Sequence, residues 1–101
     1  MADYFLVEHL RGPTWDASRR RREQAGWDEH AAFMEDLAGK GIVVLGGPVG
    51  DVDGEKTLLL CRVESEAEIR RRLAADPWAD TVLTIGSVQP WTIWLGGKNP
   101  F

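Results

Sequence analysis

The sequence predicts an α+β domain in which two helices cover one face of a four-stranded antiparallel sheet. Strand-like and helix-like segments follow one another in the order β-α-β-β-α-β, the split βαβ order of a ferredoxin-like domain. The 101 residues are enough for one hydrophobic core and too few for two. We therefore expect a single domain over residues 1–101, with residues 96–101 as a tail.

Four apolar, β-branched or aromatic segments are predicted as strands. They lie at residues 4–10, 42–45, 57–63 and 81–95. The glycine-rich residues 46–54 favour a hairpin connection between the second and third strands. The last strand is long or bulged, and Pro90 must lie at a sheet edge or a bulge because proline cannot donate to a strand ladder.

The main predicted helix spans residues 27–38. Helical spacing places five side chains on its inward face, namely Trp27, His30, Phe33, Met34 and Leu37. Gly39 and Gly41 end it, since glycine readily adopts the left-handed conformation that follows many helices.

Two further helices are predicted from capping signals. Ser65 and Glu68 form a capping box before a helix that stops ahead of Asp76 and Pro77. A short helix, capped by Asp16 or Ser18, is expected through Arg19–Glu23. We interpret its four consecutive arginines as a solvated helix face.

The second and third strands are apolar on both faces, which predicts that the sheet face away from the helices is also covered. We expect a homodimer that packs sheet against sheet, with the tryptophan-rich last strand in the interface.

Composition excludes several classes of function. A net charge of −4 argues against nucleic-acid binding, and no apolar run is long enough to span a membrane. The first residues do not resemble a signal peptide, and a single cysteine favours a cytoplasmic protein. Cys61 lies within a leucine run and is expected to be a buried, inert thiol. No metal-ligand spacing is present, and we expect neither a metal nor an organic cofactor.

His30 is the most informative polar residue, because an imidazole on an apolar helix face needs partners for its ring nitrogens. It is either structural, held by a backbone carbonyl, or it lines a pocket as a general base. Asp76 is either a turn residue before proline or the carboxylate that orients His30. Arg11 either binds an anionic substrate group or pairs with Glu8.

Several segments together resemble the YCII-related (YciI-like) family. They are Glu29-His30, Gly41–Pro48, Ala75–Trp78 and Val88–Trp91. The resemblance implies a dimeric α+β barrel and a His-Asp active site, which falls on His30 and Asp76. It also permits acid–base chemistry on a small aromatic molecule. The segment from Arg11 to Gly26 departs from the family pattern.

The leading hypothesis is a small dimeric enzyme of lyase, isomerase or dehydrochlorinase type acting on a small aromatic or lactone-like molecule. Candidate substrate-binding residues, besides the His30–Asp76 pair, are Arg11, Gly47, Pro48, Pro77, Trp78 and Trp91. The alternative is a non-catalytic ligand-binding or accessory domain, in which His30 makes a structural hydrogen bond. Fold analogy alone supports a third function, a cofactor-free monooxygenase.

Overall fold

A computed structural model describes residues 3–96 and gives the order of the elements. They are β1 (Asp3–Arg11), a single 3-10 turn (Arg21–Glu23), α1 (Trp27–Gly39), β2 (Val43–Pro48), β3 (Lys56–Val63), α2 (Glu66–Leu73) and β4 (Leu83–Pro90). The strands form one antiparallel sheet in the order β2-β3-β1-β4. The predicted α+β, ferredoxin-like fold is confirmed.

Side-chain alternation in the central strands determines what faces the helices. In β1 the residues Phe5, Val7 and His9 are buried, and their neighbours in sequence are only half-buried. Antiparallel pairing aligns these three with Cys61, Leu59 and Thr57 of β3, so all six share the helix-facing side of the sheet. Leu37 of α1 and Ile69 and Leu73 of α2 complete this core.

The helix ends follow their predicted capping signals. The Ser65 side chain accepts a hydrogen bond from the backbone N–H of Glu68 at 3.1 Å and begins α2. At the end of α1, Gly41 has a φ of +76°, and the backbone N–H of Ile42 bonds the carbonyl of Leu37 at 3.0 Å. α1 extends one residue beyond the predicted helix, to Gly39.

The predicted helix over Arg19–Glu23 is wrong in extent, because only the 3-10 turn at Arg21–Glu23 forms. Asp16 instead accepts hydrogen bonds from the backbone and hydroxyl of Ser18, which stabilises a turn outside any helix. The interpretation of all four arginines as solvated is also wrong, since Arg21 is buried.

The predicted strand over residues 81–95 is too long at both ends. β4 ends at Pro90, and its pairing with β1 shifts register between Glu8 and His9. Residues 91–96 have no regular secondary structure, although the Trp91 N–H still bonds the Tyr4 carbonyl at 2.9 Å. β2 in turn runs to Pro48, so part of the predicted hairpin loop is strand. Of the predicted tail, only Gly96 lies within the described residues.

The end of α1 provides a matched test of this backbone. A Cβ at Gly39 or at Gly41 would meet no atom within 4 Å, but only Gly41 has a positive φ. We expect Gly41→Ala to lower the free energy of unfolding by about 1 kcal/mol, because a left-handed conformation is costly for alanine. Gly39→Ala should raise it by about 0.5–1 kcal/mol through helix propensity. Urea denaturation measures both changes, and changes of equal sign would contradict the assignment of the helix end.

Candidate active site

A buried carboxylate and a buried imidazole meet between α1 and the turn after α2. Nδ1 of His30 lies 2.9 Å from both carboxylate oxygens of Asp76, and the two side chains are 10% and 3% exposed. His30 is in the first turn of α1, and its backbone N–H donates a hydrogen bond to the carbonyl of Gly26 at 3.0 Å. The structure therefore brings together two polar side chains that are 46 residues apart in the sequence.

Trp78 fixes both members of this pair. Its backbone N–H donates to Oδ1 of Asp76 at 2.8 Å, and its ring stacks on the His30 imidazole with centroids 4.1 Å apart and 8° between the planes. Its indole Nε1–H donates to the carbonyl of Ala25 at 2.7 Å. Trp78 is 1% exposed, so rotation of the imidazole against it would require the local core to move.

A cavity of about 330 Å³ borders His30. Its walls come from α1 and from β1, β2 and β3, and they are mostly apolar, including Trp27, Met34, Val43 and Leu59. The polar side chains that border it besides His30 are His9, Arg21, Glu35 and Thr57. A small, mostly apolar cavity with a few polar groups is the usual form of a small-molecule site.

His9 is a second buried imidazole, and it borders this cavity and a neighbouring one of about 250 Å³. Burial lowers the pKa of His9 from 6.5 to about 4. The charge of Asp76 raises the pKa, and His30 and Arg21 lower it. His9 is therefore neutral at pH 7. Within residues 3–96 no group forms a hydrogen bond with its ring.

Comparison with known families agrees with this architecture. The model of the YCII-related domain matches residues 8–92. The chain belongs to the YCII-related family. No curated protein matches it significantly. No solved structure does so either.

The predicted site residues of this YCII-related chain fall in three places. Gly47 and Pro48 border the cavity together with His30, as part of β2. Trp78 lies behind His30, in contact with the imidazole. Asp76 holds His30 and borders the neighbouring cavity.

The structure does not bring the other three predicted substrate-binding residues to this cavity. Arg11 is exposed and donates from Nη2 to the carbonyl of Asp53 at 2.7 Å. Pro77 is exposed in the turn between Asp76 and Trp78. Trp91 is 45% exposed and borders a groove on the opposite face of the sheet, next to Leu60.

Arg21 and Thr57 border the cavity and were missed by the sequence reasoning. The alternation of β1 contains a signal for His9, since Phe5, Val7 and His9 share one face of the strand. His9 then predicts Thr57 through the pairing of β1 with β3. No local signal distinguishes Arg21 from the neighbouring arginines.

The remaining chemical expectations concern thiols, metals and membranes. Cys61 is fully buried, and burial raises the pKa of its thiol to about 12, as expected for an inert cysteine. Within residues 3–96, no group of three or more His, Cys, Asp or Glu side chains is placed to hold a metal ion. Neither helix of this part of the chain has the length and apolar character needed to cross a bilayer.

The lowered pKa of His9 predicts how stability depends on pH. Between pH 6.5 and about 4 the unfolded chain binds a proton at His9 and the folded chain does not. Acidification through this window should therefore remove about 3 kcal/mol of stability that is fully present above pH 6.5.

Urea denaturation at a series of pH values, in the wild type and in His9→Asn, isolates this contribution. The variant should lose less stability than the wild type between pH 6.5 and 4, because all other titrating groups are common to both proteins. Parallel pH profiles would contradict a neutral, buried His9.

Proposed function

We propose that this YCII-related protein is an acid–base enzyme in which His30 exchanges a proton with a small molecule bound in the cavity, and Asp76 orients His30. The observation that carries the proposal is the contact of Nδ1 of His30 with both carboxylate oxygens of the buried Asp76. The reaction class is a lyase-, isomerase- or dehydrochlorinase-type proton transfer, and the residues of the chain supply the proton chemistry themselves.

The contact supports this role because it fixes the tautomer of a neutral imidazole. A carboxylate accepts hydrogen bonds, so the proton of neutral His30 is held on Nδ1 and the lone pair is left on Nε2. No residue in the described part of the chain forms a hydrogen bond with Nε2. That nitrogen is therefore available to accept a proton from a ligand and to return it.

The cavity supports a small substrate with an apolar body. Its volume of about 330 Å³ is at the lower end of the range for ligand sites. Trp27 and Met34 offer aromatic and flexible apolar contact beside His30. A small aromatic or lactone-like molecule fits these walls.

Proton exchange with solvent tests this function without knowledge of the full reaction. The protein is incubated in D₂O with a panel of small butenolides and polyhydroxylated aromatics. NMR should then show that at least one compound incorporates deuterium only when the protein is present. His30→Gln should lower the exchange rate by about 100-fold or more, because the base is lost. Asp76→Asn should lower it strongly as well, because the asparagine amide can donate to Nδ1 and so favour the tautomer that carries its proton on Nε2.

Asp28→Asn is the matched control, because Asp28 is an exposed residue in the same helical turn. It should exchange at the wild-type rate. Wild-type exchange by a folded His30→Gln protein would contradict the role of His30. Binding of panel compounds without any exchange in the wild type would favour the alternative, a ligand-binding domain.

We also propose that the protein is a homodimer that packs through the sheet face opposite the helices. Pairing of β1 with β3 puts the half-buried Leu6 and Leu58 on that face, beside the already buried Leu60. Leu45 at 55% and Trp94 at 87% exposure extend the apolar surface, and residues 91–95 border a groove there with Leu60. A second copy would remove this apolar area from water.

The single, buried cysteine is consistent with a cytoplasmic location, which we propose as well.

Sedimentation equilibrium tests the dimer. The wild type at micromolar concentration should have twice the monomer mass of 11.3 kDa. Trp94→Asp should shift the protein toward the monomer, because it adds a charge to the apolar surface. Ala67→Asp, which adds the same charge at the exposed start of α2, should leave the mass unchanged. A monomeric wild type would overturn this part of the proposal.

A further inference from the structure

Three side chains that border the cavity carry hydrogen-bond donors without an acceptor among the described residues. The Thr57 hydroxyl is buried and has no partner among the described residues. The ring of His9 also has no hydrogen-bond partner among the described residues, and it lies directly across from Thr57 in the pairing of β1 with β3. Arg21 is the third, and its Nη1 forms no hydrogen bond within residues 3–96. A buried hydroxyl without a partner is costly, so Thr57 indicates that a ligand bonds to it, and the donors of His9 and Arg21 border the same cavity.

The guanidinium of Arg21 also has no direct ion pair among the described residues, although the charge of nearby Asp53 stabilises it. The residue is only 8% exposed, yet in the part of the chain that the structure describes no carboxylate oxygen lies within 4.0 Å of its guanidinium. The guanidinium donates only to neutral carbonyls. The carboxylate of Asp53 accepts a hydrogen bond from the backbone N–H of Arg21, at 3.1 Å. Buried guanidinium groups are normally bonded directly to a carboxylate, so a guanidinium with Asp53 only nearby is a second observation that points to an anionic ligand.

The guanidinium is held in place before any ligand arrives. Nε donates to the carbonyl of Val52 at 3.2 Å, and Nη2 donates to the carbonyl of Gly54 at 2.9 Å. The ring of Trp15 lies 5.2 Å from its central carbon. Two fixed donors and an aromatic neighbour leave Nη1 as the part of the group that is free to bind.

We propose that the cavity binds a small monocyclic carboxylate, whose oxygens accept hydrogen bonds from Arg21, Thr57 and His9. The proposal deepens the proposed function, on which it rests for the identity of the site, by naming the substrate class. The ring of the ligand lies against the apolar walls, and its carboxylate neutralises Arg21.

A carboxylate fits this set better than other polar groups. When ionised it only accepts hydrogen bonds, which matches three groups that each offer a donor. It is planar, as the guanidinium is, and its single negative charge suits the single guanidinium of Arg21. A dianion such as phosphate would bring excess negative charge to a site that already has Asp76 behind His30. Glu35 also borders the cavity but is exposed, so water screens its charge.

Benzoate and benzamide are suitable probes, because they have the same ring and differ in charge. Titration of the full-length protein, followed by NMR chemical shifts, should show benzoate bound about tenfold or more tightly than benzamide. Arg21→Gln should abolish this preference. Arg22→Gln is the matched control, since Arg22 is the exposed neighbour of Arg21, and it should keep the preference.

Equal affinity of the wild type for the two probes would overturn the proposal, as would no benzoate binding at about 10 mM. An unchanged preference in folded Arg21→Gln would overturn it too, and would leave Arg21 with a structural role in holding residues 52–54. If Arg21→Gln does not fold, Thr57→Val decides, because it removes one donor and keeps the side-chain shape. A severalfold loss of benzoate affinity with benzamide affinity unchanged supports the proposal, and unchanged benzoate affinity overturns it.

His30→Gln separates this inference from the proposed function. It should keep the benzoate preference while abolishing deuterium exchange. Exchange that depends on His30 but occurs only with neutral compounds would overturn the carboxylate proposal and leave the acid–base function intact. Benzoate binding that depends on Arg21, without exchange for any compound, would overturn the enzyme and leave the carboxylate site intact.

Discussion

The buried carboxylate of Asp76 is the constraint on which the rest of the site depends. An ionised carboxylate out of contact with water requires hydrogen-bond donors, and here they come from two different elements. Trp78 donates from the turn that follows α2, and His30 donates from the first turn of α1. The indole of Trp78 then bonds the carbonyl of Ala25, just before α1. A single buried charge thus fixes the start of one helix against the end of the other, and the cavity lies beside that junction.

Local patterns were sufficient for the fold and for the selection of His30. The helical spacing of Trp27, His30 and Leu37 gave the inward face of α1, and the serine before α2 gave its first residue. His30 could be selected because an imidazole on an apolar stripe requires a partner. Its pairing with Asp76 is a contact across 46 residues, which periodicity alone does not specify. The choice of Asp76 therefore depended on its position in the segments that resemble the family.

Contacts between distant segments account for what the sequence did not predict. Arg21 differs from Arg20 and Arg22 only because carbonyls of the loop between β2 and β3 accept its guanidinium hydrogens. The spacing of the arginines in the sequence does not indicate which of them reaches this loop. β4 is shorter than predicted because its partner strand ends. Pro90 pairs with Phe5, and β1 begins only two residues before Phe5, at Asp3, so residues beyond Pro90 have almost no strand left to pair with. The apolar residues 91–95 were interpreted as strand although they border the open face of the sheet instead.

The two buried charges of the site have different roles because of how each is compensated. The charge of Asp76 is matched inside the protein by His30 and by the Trp78 N–H, so it orients an imidazole and is not available to attract a ligand. The guanidinium of Arg21 donates only to neutral carbonyls, and its charge acts on the cavity that it borders. The charge of Asp76 raises the pKa of His9 and the charge of Arg21 lowers it, and burial keeps His9 neutral at pH 7. Because His9 carries no charge there, Arg21 is the positively charged side chain that borders the cavity when His30 is neutral. Binding of an anion at Arg21 and proton transfer at His30 can therefore occur in one small cavity without either group neutralising the other.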